Sequence, residues 1–121
     1  MGWKPEHYEV DLSDLGEGAS AVVVVNPPGK VVREYWALMP EMAAVDTPTA
    51  EQQERYFAVL AQLVVEVRRP GGVTPLATPE AVRRFEDEDD PLLAAVALSA
   101  LWEERKRRRD EAVKRFRTAD R

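Results

Sequence analysis

One histidine, His7, and no cysteine leave this chain with carboxylates, hydroxyls, lysine amines and guanidinium groups as its other reactive side chains. A nucleophilic relay needs an imidazole held between a hydroxyl and a carboxylate. His7 opens a short strand close to the chain start, a poor place to hold one. Without a thiol there is no thiolate nucleophile, cysteine-type zinc site or disulfide framework, which fits a reducing compartment. Glu51 with Glu54, and Glu103 with Glu104, are the carboxylate pairs that acid–base chemistry would recruit. Each lies in charged helical sequence with nothing to bury it, so a solvated face is the simpler reading. The acidic block at 86–90 has the composition of a calcium loop but lacks its alternating ligands, central glycine and distal glutamate. Gly16 and Gly18 are followed by neither a dinucleotide fingerprint nor a phosphate-loop lysine. No catalytic residue, cofactor site or metal site is therefore expected.

The run Arg105, Lys106, Arg107, Arg108 and Arg109 could hold phosphates, but helix construction accounts for much of it. Glu103 precedes Arg107 by four residues, as Glu104 precedes Arg108, Asp110 precedes Lys114 and Glu111 precedes Arg115. Pairs in that orientation add about 0.2–0.5 kcal/mol each on an exposed helix. No aromatic residue is interleaved with the run, as base stacking would require. A solvated, self-paired face comes first, a protein-binding surface second and nucleic acid third. Upstream, the acidic block precedes an apolar centre, so acid lies at the positive end of the helix dipole and base at the negative end. Asp90 is the expected cap and Pro91 the first helical residue.

Several elements must position these side chains. Tyr8, Val10 and Leu12 alternate with polar residues, the pattern of a half-buried strand. The valines at 22–25 end against Pro27 and Pro28, which suggests a second strand and an antiparallel hairpin. A lone hairpin is marginal in water, so it must pack on a helix or extend another sheet. Apolar residues from Val31 to Met42 recur at helical spacing, although 30–35 could also continue the sheet, and Pro40 is expected to end or kink that helix. Thr49 with Gln52 matches a capping box, and Thr47 with Pro48 offers a competing start. The helix it opens is expected to reach Arg68, burying Tyr56, Val59, Leu60, Leu63, Val64 and Val67. Pro70, Gly71 and Gly72 read as its terminator. Thr78 and Pro79 start a short helix through about Phe85, and a last helix runs from Pro91 to about residue 117.

The expected fold is α+β, mainly α: a short N-terminal β-hairpin followed by three to four helices, the last long and charged. One domain is expected over 1–121, with the hairpin at 1–28, helices at 29–68, a loop and short helix at 69–90 and the long helix at 91–117. The net charge of −5 argues against general nucleic-acid binding. That charge is uneven: residues 1–102 carry 8 Lys/Arg against 17 Asp/Glu, and residues 103–121 carry 9 against 5. Such a split favours self-association or a partner with its own asymmetry, though a solvated helix end is the commoner cause. The start of the chain lacks the regions of a signal peptide and no apolar run approaches a membrane span, so a soluble intracellular protein is expected. Trp36, Met39, Phe57, Leu101 and Trp102 are more often core than binding site. A domain this small can nevertheless leave tryptophan area over for an interface.

Taken in order, Tyr8 to Leu12, Ala21 to Pro28, Trp36 to Pro40, the helix bearing Tyr56, Leu76 to Val82, Asp89 to Leu93 and the terminal Glu/Arg-rich helix have a counterpart. The chain resembles the tail assembly chaperones of long-tailed bacteriophages and related prophages over most of its length, through patterns of ordinary residues. The resemblance implies a small, mainly helical, non-enzymatic protein of the bacterial cytoplasm. It would bind the tape measure protein and keep it soluble, help recruit tail tube subunits, and be absent from the finished particle. A frameshifted longer product is common in that family. Trp36, Met39, Leu101 and Trp102 are the expected client or subunit contacts, with Arg105, Arg107, Arg108 and Arg109 supplying charge, and a homo-oligomer is possible. The alternative is a small head–tail connector or DNA-packaging accessory protein that binds nucleic acid through the basic helix.

Overall fold

The computed structural model describes residues 2–119. Strand β1 (His7–Asp11) pairs antiparallel with β2 (Ser20–Val24), with Tyr8 opposite Val23 and Val10 opposite Ala21. Their loop closes with Leu12 N–H donating to the Ala19 carbonyl at 2.9 Å. Helix α1 (Gly29–Ala43) continues through Pro40, where an end or kink was expected. Proline there lacks only the N–H that would reach the Trp36 carbonyl, and the next turn closes with Ala44 N–H on the Pro40 carbonyl at 3.1 Å. Helix α2 (Ala50–Leu63) opens on the expected capping box: Thr49 Oγ1 accepts from Gln52 N–H, and Gln52 Oε1 accepts from Thr49 N–H.

Helix α2 does not reach Arg68. It stops at Leu63 and runs directly into strand β3 (Val64–Arg69), which pairs antiparallel with β2. Val23 faces Val64 and Ala21 faces Val67, so two residues of β2 are matched by three of β3 across a bulge. The bulge puts residues three apart on one face, and both Val64 and Val67 are fully buried. Spacing that imitates a helical period thus belongs to a bulged strand. The proline and glycines that follow turn a hairpin rather than end a helix. Pro70 and Gly71 connect β3 to β4 (Gly72–Pro75), and Gly72 takes φ 146°. The anticipated hairpin is therefore half of a four-stranded antiparallel sheet ordered β1-β2-β3-β4. Gly18, at φ 73°, lets the first hairpin loop press on the second, since a Cβ there would lie 2.9 Å from Pro70 Cγ.

Thr78 caps helix α3 (Pro79–Glu88) by accepting from Ala81 N–H at 3.1 Å. The helix extends past the expected Phe85, so Glu86, Asp87 and Glu88 sit in its last turn rather than at the entry to the next helix. Only Asp89 and Asp90 serve the junction. Asp89 takes both Arg69 guanidinium nitrogens at 2.7 Å, and Asp90 accepts from Leu92 N–H at 3.1 Å at the start of α4 (Pro91–Ala119). The protein is α+β and mainly α, as its patterning implied.

Leu93, Ala94, Ala97, Leu98 and Leu101 bury one face of α4 against the sheet, two alanines among them admitting close approach. Val10, Val23, Val64 and Val67 meet them from the strands, and Leu60 and Leu63 from α2. The other sheet face is charged: Arg68 bonds Glu66 on its own strand and reaches Glu9 across β2, spanning Val22. Beyond the core, 110–118 of α4 are exposed on every side, Phe116 at 73%. At about 1.5 Å per residue, this helix is roughly 43 Å long, so its end projects well past the sheet.

Candidate functional site

Helices α1 and α4 meet through aromatic side chains. The Tyr35 ring lies 4.9 Å from Trp36, edge to face, and 4.9 Å from Trp102, while Trp36 and Trp102 are 5.1 Å apart. Helical spacing builds each wall, because Val32 and Trp36 share a face of α1 and Trp102 begins a stripe on α4, and packing of the two helices brings the walls together. That stripe continues with Arg105, Lys106 and Arg109, at intervals of three, four and seven residues. Val32, Trp36, Trp102, Arg105, Lys106 and Arg109 line one groove of about 390 Å³. Trp36 is 51% exposed, and the buried indole N–H of Trp102 has no acceptor among the described residues. An unpaired buried donor costs about 1–3 kcal/mol.

The five basic residues of the run divide by direction. Arg105 stacks over the Trp102 ring at 5.8 Å and donates to the Val25 carbonyl at 2.8 Å, which ties α4 to the end of β2. Lys106 makes no ion pair among the described residues, and Arg109 has only Asp110 at 3.6 Å. Arg107 and Arg108 lead elsewhere, both bonding Glu104 at 2.8 Å, with Arg108 also reaching Glu6. Their guanidinium groups hold the Glu104 carboxyl down to about 2 although its side chain is only 9% exposed. The pairs Glu104–Arg107 and Glu104–Arg108 form. Glu103–Arg107, Asp110–Lys114 and Glu111–Arg115, also expected, are not ion pairs among the described residues. The cations left for a ligand are Arg105, Lys106 and Arg109.

The expected contact residues are thus sorted rather than gathered. Trp36, Trp102, Arg105 and Arg109 share the groove. Met39, one turn on from Trp36, is half-buried and outside it. Leu101 has no accessible surface: it belongs to the core, because the face of α4 that carries it packs on the sheet. Arg107 and Arg108 lie off the stripe, held by Glu104. Val32 and Lys106 were missed as groove residues. Counting helical positions from Trp102 would have found Lys106, but no local signal pairs α4 with Val32.

A second groove, of about 550 Å³, lies between α2 and α3 beside Met42, Tyr56, Phe57, Glu54, Arg83 and Glu86. Burial raises the Glu86 carboxyl, and Asp87 adds to it. Burial likewise pushes the Tyr56 hydroxyl up, followed by the charge of Glu86. Arg83 already serves this region, bonding Glu54 and stacking over Phe57 at 5.7 Å. Among the described residues no three His, Cys, Asp or Glu side chains are grouped to hold a metal ion, and no helix is long and apolar enough to cross a membrane.

Fold and groove define an α+β protein that presents an aromatic cleft lined by Arg105, Lys106 and Arg109 between its first and last helices. Comparison of the chain with family models, curated proteins and solved structures finds no match.

Proposed function

We propose that this protein is a tail assembly chaperone of a long-tailed bacteriophage or prophage. It binds the tape measure protein in the bacterial cytoplasm, keeps it soluble during tail morphogenesis and stays out of the finished particle. Its action is non-enzymatic, and the tail tube protein and further copies of the chain are secondary partners. The observation that carries the reading is the α1–α4 groove, where a half-exposed Trp36 stands beside Trp102 and three cations whose one carboxylate partner among the described residues is Asp110, 3.6 Å from Arg109. Exposed tryptophan flanked by arginine is the composition that concentrates binding energy at protein interfaces. A long helical client offers apolar stripes that such a groove receives. The sequence resemblance supplies the identity of the client. Co-expression tests the proposal: the cognate tape measure protein is expected in the soluble fraction with this chain and in the pellet without it. Equal solubility in both cases defeats it.

One observation favours the nucleic-acid alternative. The aromatic interleaving absent from the basic run is supplied from α1, since Trp36 stands beside Arg105, Lys106 and Arg109. Salt-dependent DNA binding that disappears in the Arg105→Gln, Lys106→Gln, Arg109→Gln variant would select a connector or DNA-packaging role.

A further inference from the structure

The proposed function leaves open what kind of segment the α1–α4 groove accepts. Resting on that reading, we infer that the groove takes an acidic amphipathic helix: one apolar anchor seated against Trp36, flanked by carboxylates that meet Arg105, Lys106 and Arg109.

Two observations converge on this occupant. The first is charge left over. Of the five cations at 105–109, Arg107 and Arg108 are committed to Glu104 and Glu6, whereas those lining the groove face only Asp110 at 3.6 Å. The charge is also local. Residues 1–102 carry 17 Asp/Glu against 8 Lys/Arg, so the groove is a basic site on an acidic body. An acidic helix is drawn to this site and repelled elsewhere, which orients it. The second is shape. A groove of about 390 Å³ with a half-exposed indole on one wall suits one or two side chains.

Single-stranded nucleic acid is the rival occupant, because bases stack on tryptophan and phosphates pair with arginine. A polyanion needs a continuous cationic track, and here Arg107 and Arg108 are turned off the track by Glu104. The acidic body adds repulsion along any strand that runs beyond the groove. One or two carboxylates on a short helix meet neither obstacle.

The test uses the full chain carrying Trp3→Phe, so that tryptophan emission reports on Trp36 and Trp102. The probe is a synthetic helical peptide with a leucine anchor flanked by glutamates at helical spacing. A second peptide carries glutamine in place of every glutamate, and a thymidine oligomer represents nucleic acid. The acidic peptide is expected to bind at least ~10-fold more tightly than the glutamine peptide, with the advantage shrinking as salt rises. Lys106→Gln with Arg109→Gln should remove that advantage, and Trp36→Ala should weaken both peptides. Arg107→Gln, outside the groove, should leave binding unchanged. Equal binding of the two peptides, or binding of neither, overturns the inference. So does tighter binding of the thymidine oligomer that displaces the peptide. If the tape measure protein is solubilised equally by Lys106→Gln with Arg109→Gln while the peptides fail to discriminate, this inference falls and the chaperone reading stands.

Discussion

Replacing Leu101 by alanine separates the two roles its position allows, since it adjoins a groove residue yet has no accessible surface. Leu101 packs with Leu98, Ala97 and the sheet, so truncation removes buried methyl groups and leaves a cavity that the strands cannot easily fill. Substitutions of that kind cost about 2–5 kcal/mol, and ~3 kcal/mol is expected here. At ~2.1 cal/mol/K of unfolding entropy per residue, a chain of 121 residues changes stability by roughly 0.25 kcal/mol per degree near its midpoint. Leu101→Ala should therefore lower Tm by about 12 °C. Trp36→Ala is the comparison. Its side chain is already 51% exposed and loses chiefly the ring contacts to Tyr35 and Trp102, worth about 1–2 kcal/mol together or roughly 4–8 °C. Thermal unfolding followed by circular dichroism measures both variants. A drop below about 4 °C for Leu101→Ala, or a smaller drop than for Trp36→Ala, would refute the packing of α4 on the sheet. Leu101 would then return to the candidate contact residues.

Two further predictions concern the fold. Gly18→Ala forces a side chain into φ 73° and brings its Cβ to 2.9 Å from Pro70 Cγ, so its urea midpoint should fall by an amount equivalent to at least ~1–2 kcal/mol. Gly71→Ala has open space and should be near neutral; equal losses for the two variants would contradict the packing of the hairpin loops on one another. Acid stability depends on Glu104, whose folded carboxyl is held at about 2 against an ordinary value of 4.5, first by Arg107 and then by Arg108. A depressed carboxyl stabilises the fold fully above its unfolded value, and the stabilisation is lost as pH falls through the folded one. Urea titrations from pH 5 to pH 2 should show stability falling less steeply in Glu104→Gln than in the parent, and matching slopes would show that the paired guanidinium groups do not hold Glu104 ionised.

Local chemistry made several elements legible before any contact was known. Thr49 with Gln52, Thr78 with Pro79, and Asp90 with Pro91 place three helix starts, because a cap bonds backbone groups within three residues of itself. The alternation from Tyr8 to Leu12 and the valines before Pro27 placed the first hairpin through the two-residue period of a strand and the proline stop that follows. The end of α2 was illegible. Leu60, Leu63, Val64 and Val67 have the spacing of a buried helical face, and only pairing with β2 across a bulge turns the last two into a strand. The acidic block was misread likewise. Its first three residues finish α3, and Asp89 is occupied by Arg69, which lies 20 residues earlier in the chain.

The groove divides along the same line. Helical periodicity in the sequence already spaces Trp102, Arg105, Lys106 and Arg109 along one stripe, although Arg107 and Arg108 were expected among the contacts and Lys106 was not. The sequence determined too that acid and base segregate along the chain. Tertiary structure decided the rest. Packing of α4 on the sheet took Leu101 into the core, and the placement of α1 set Trp36 against Trp102. Glu104 and Glu6 drew Arg107 and Arg108 away, leaving three cations beside the tryptophans. Residues 66 positions apart become neighbours only when a hydrophobic core fixes both helices, and no short-range rule encodes that meeting.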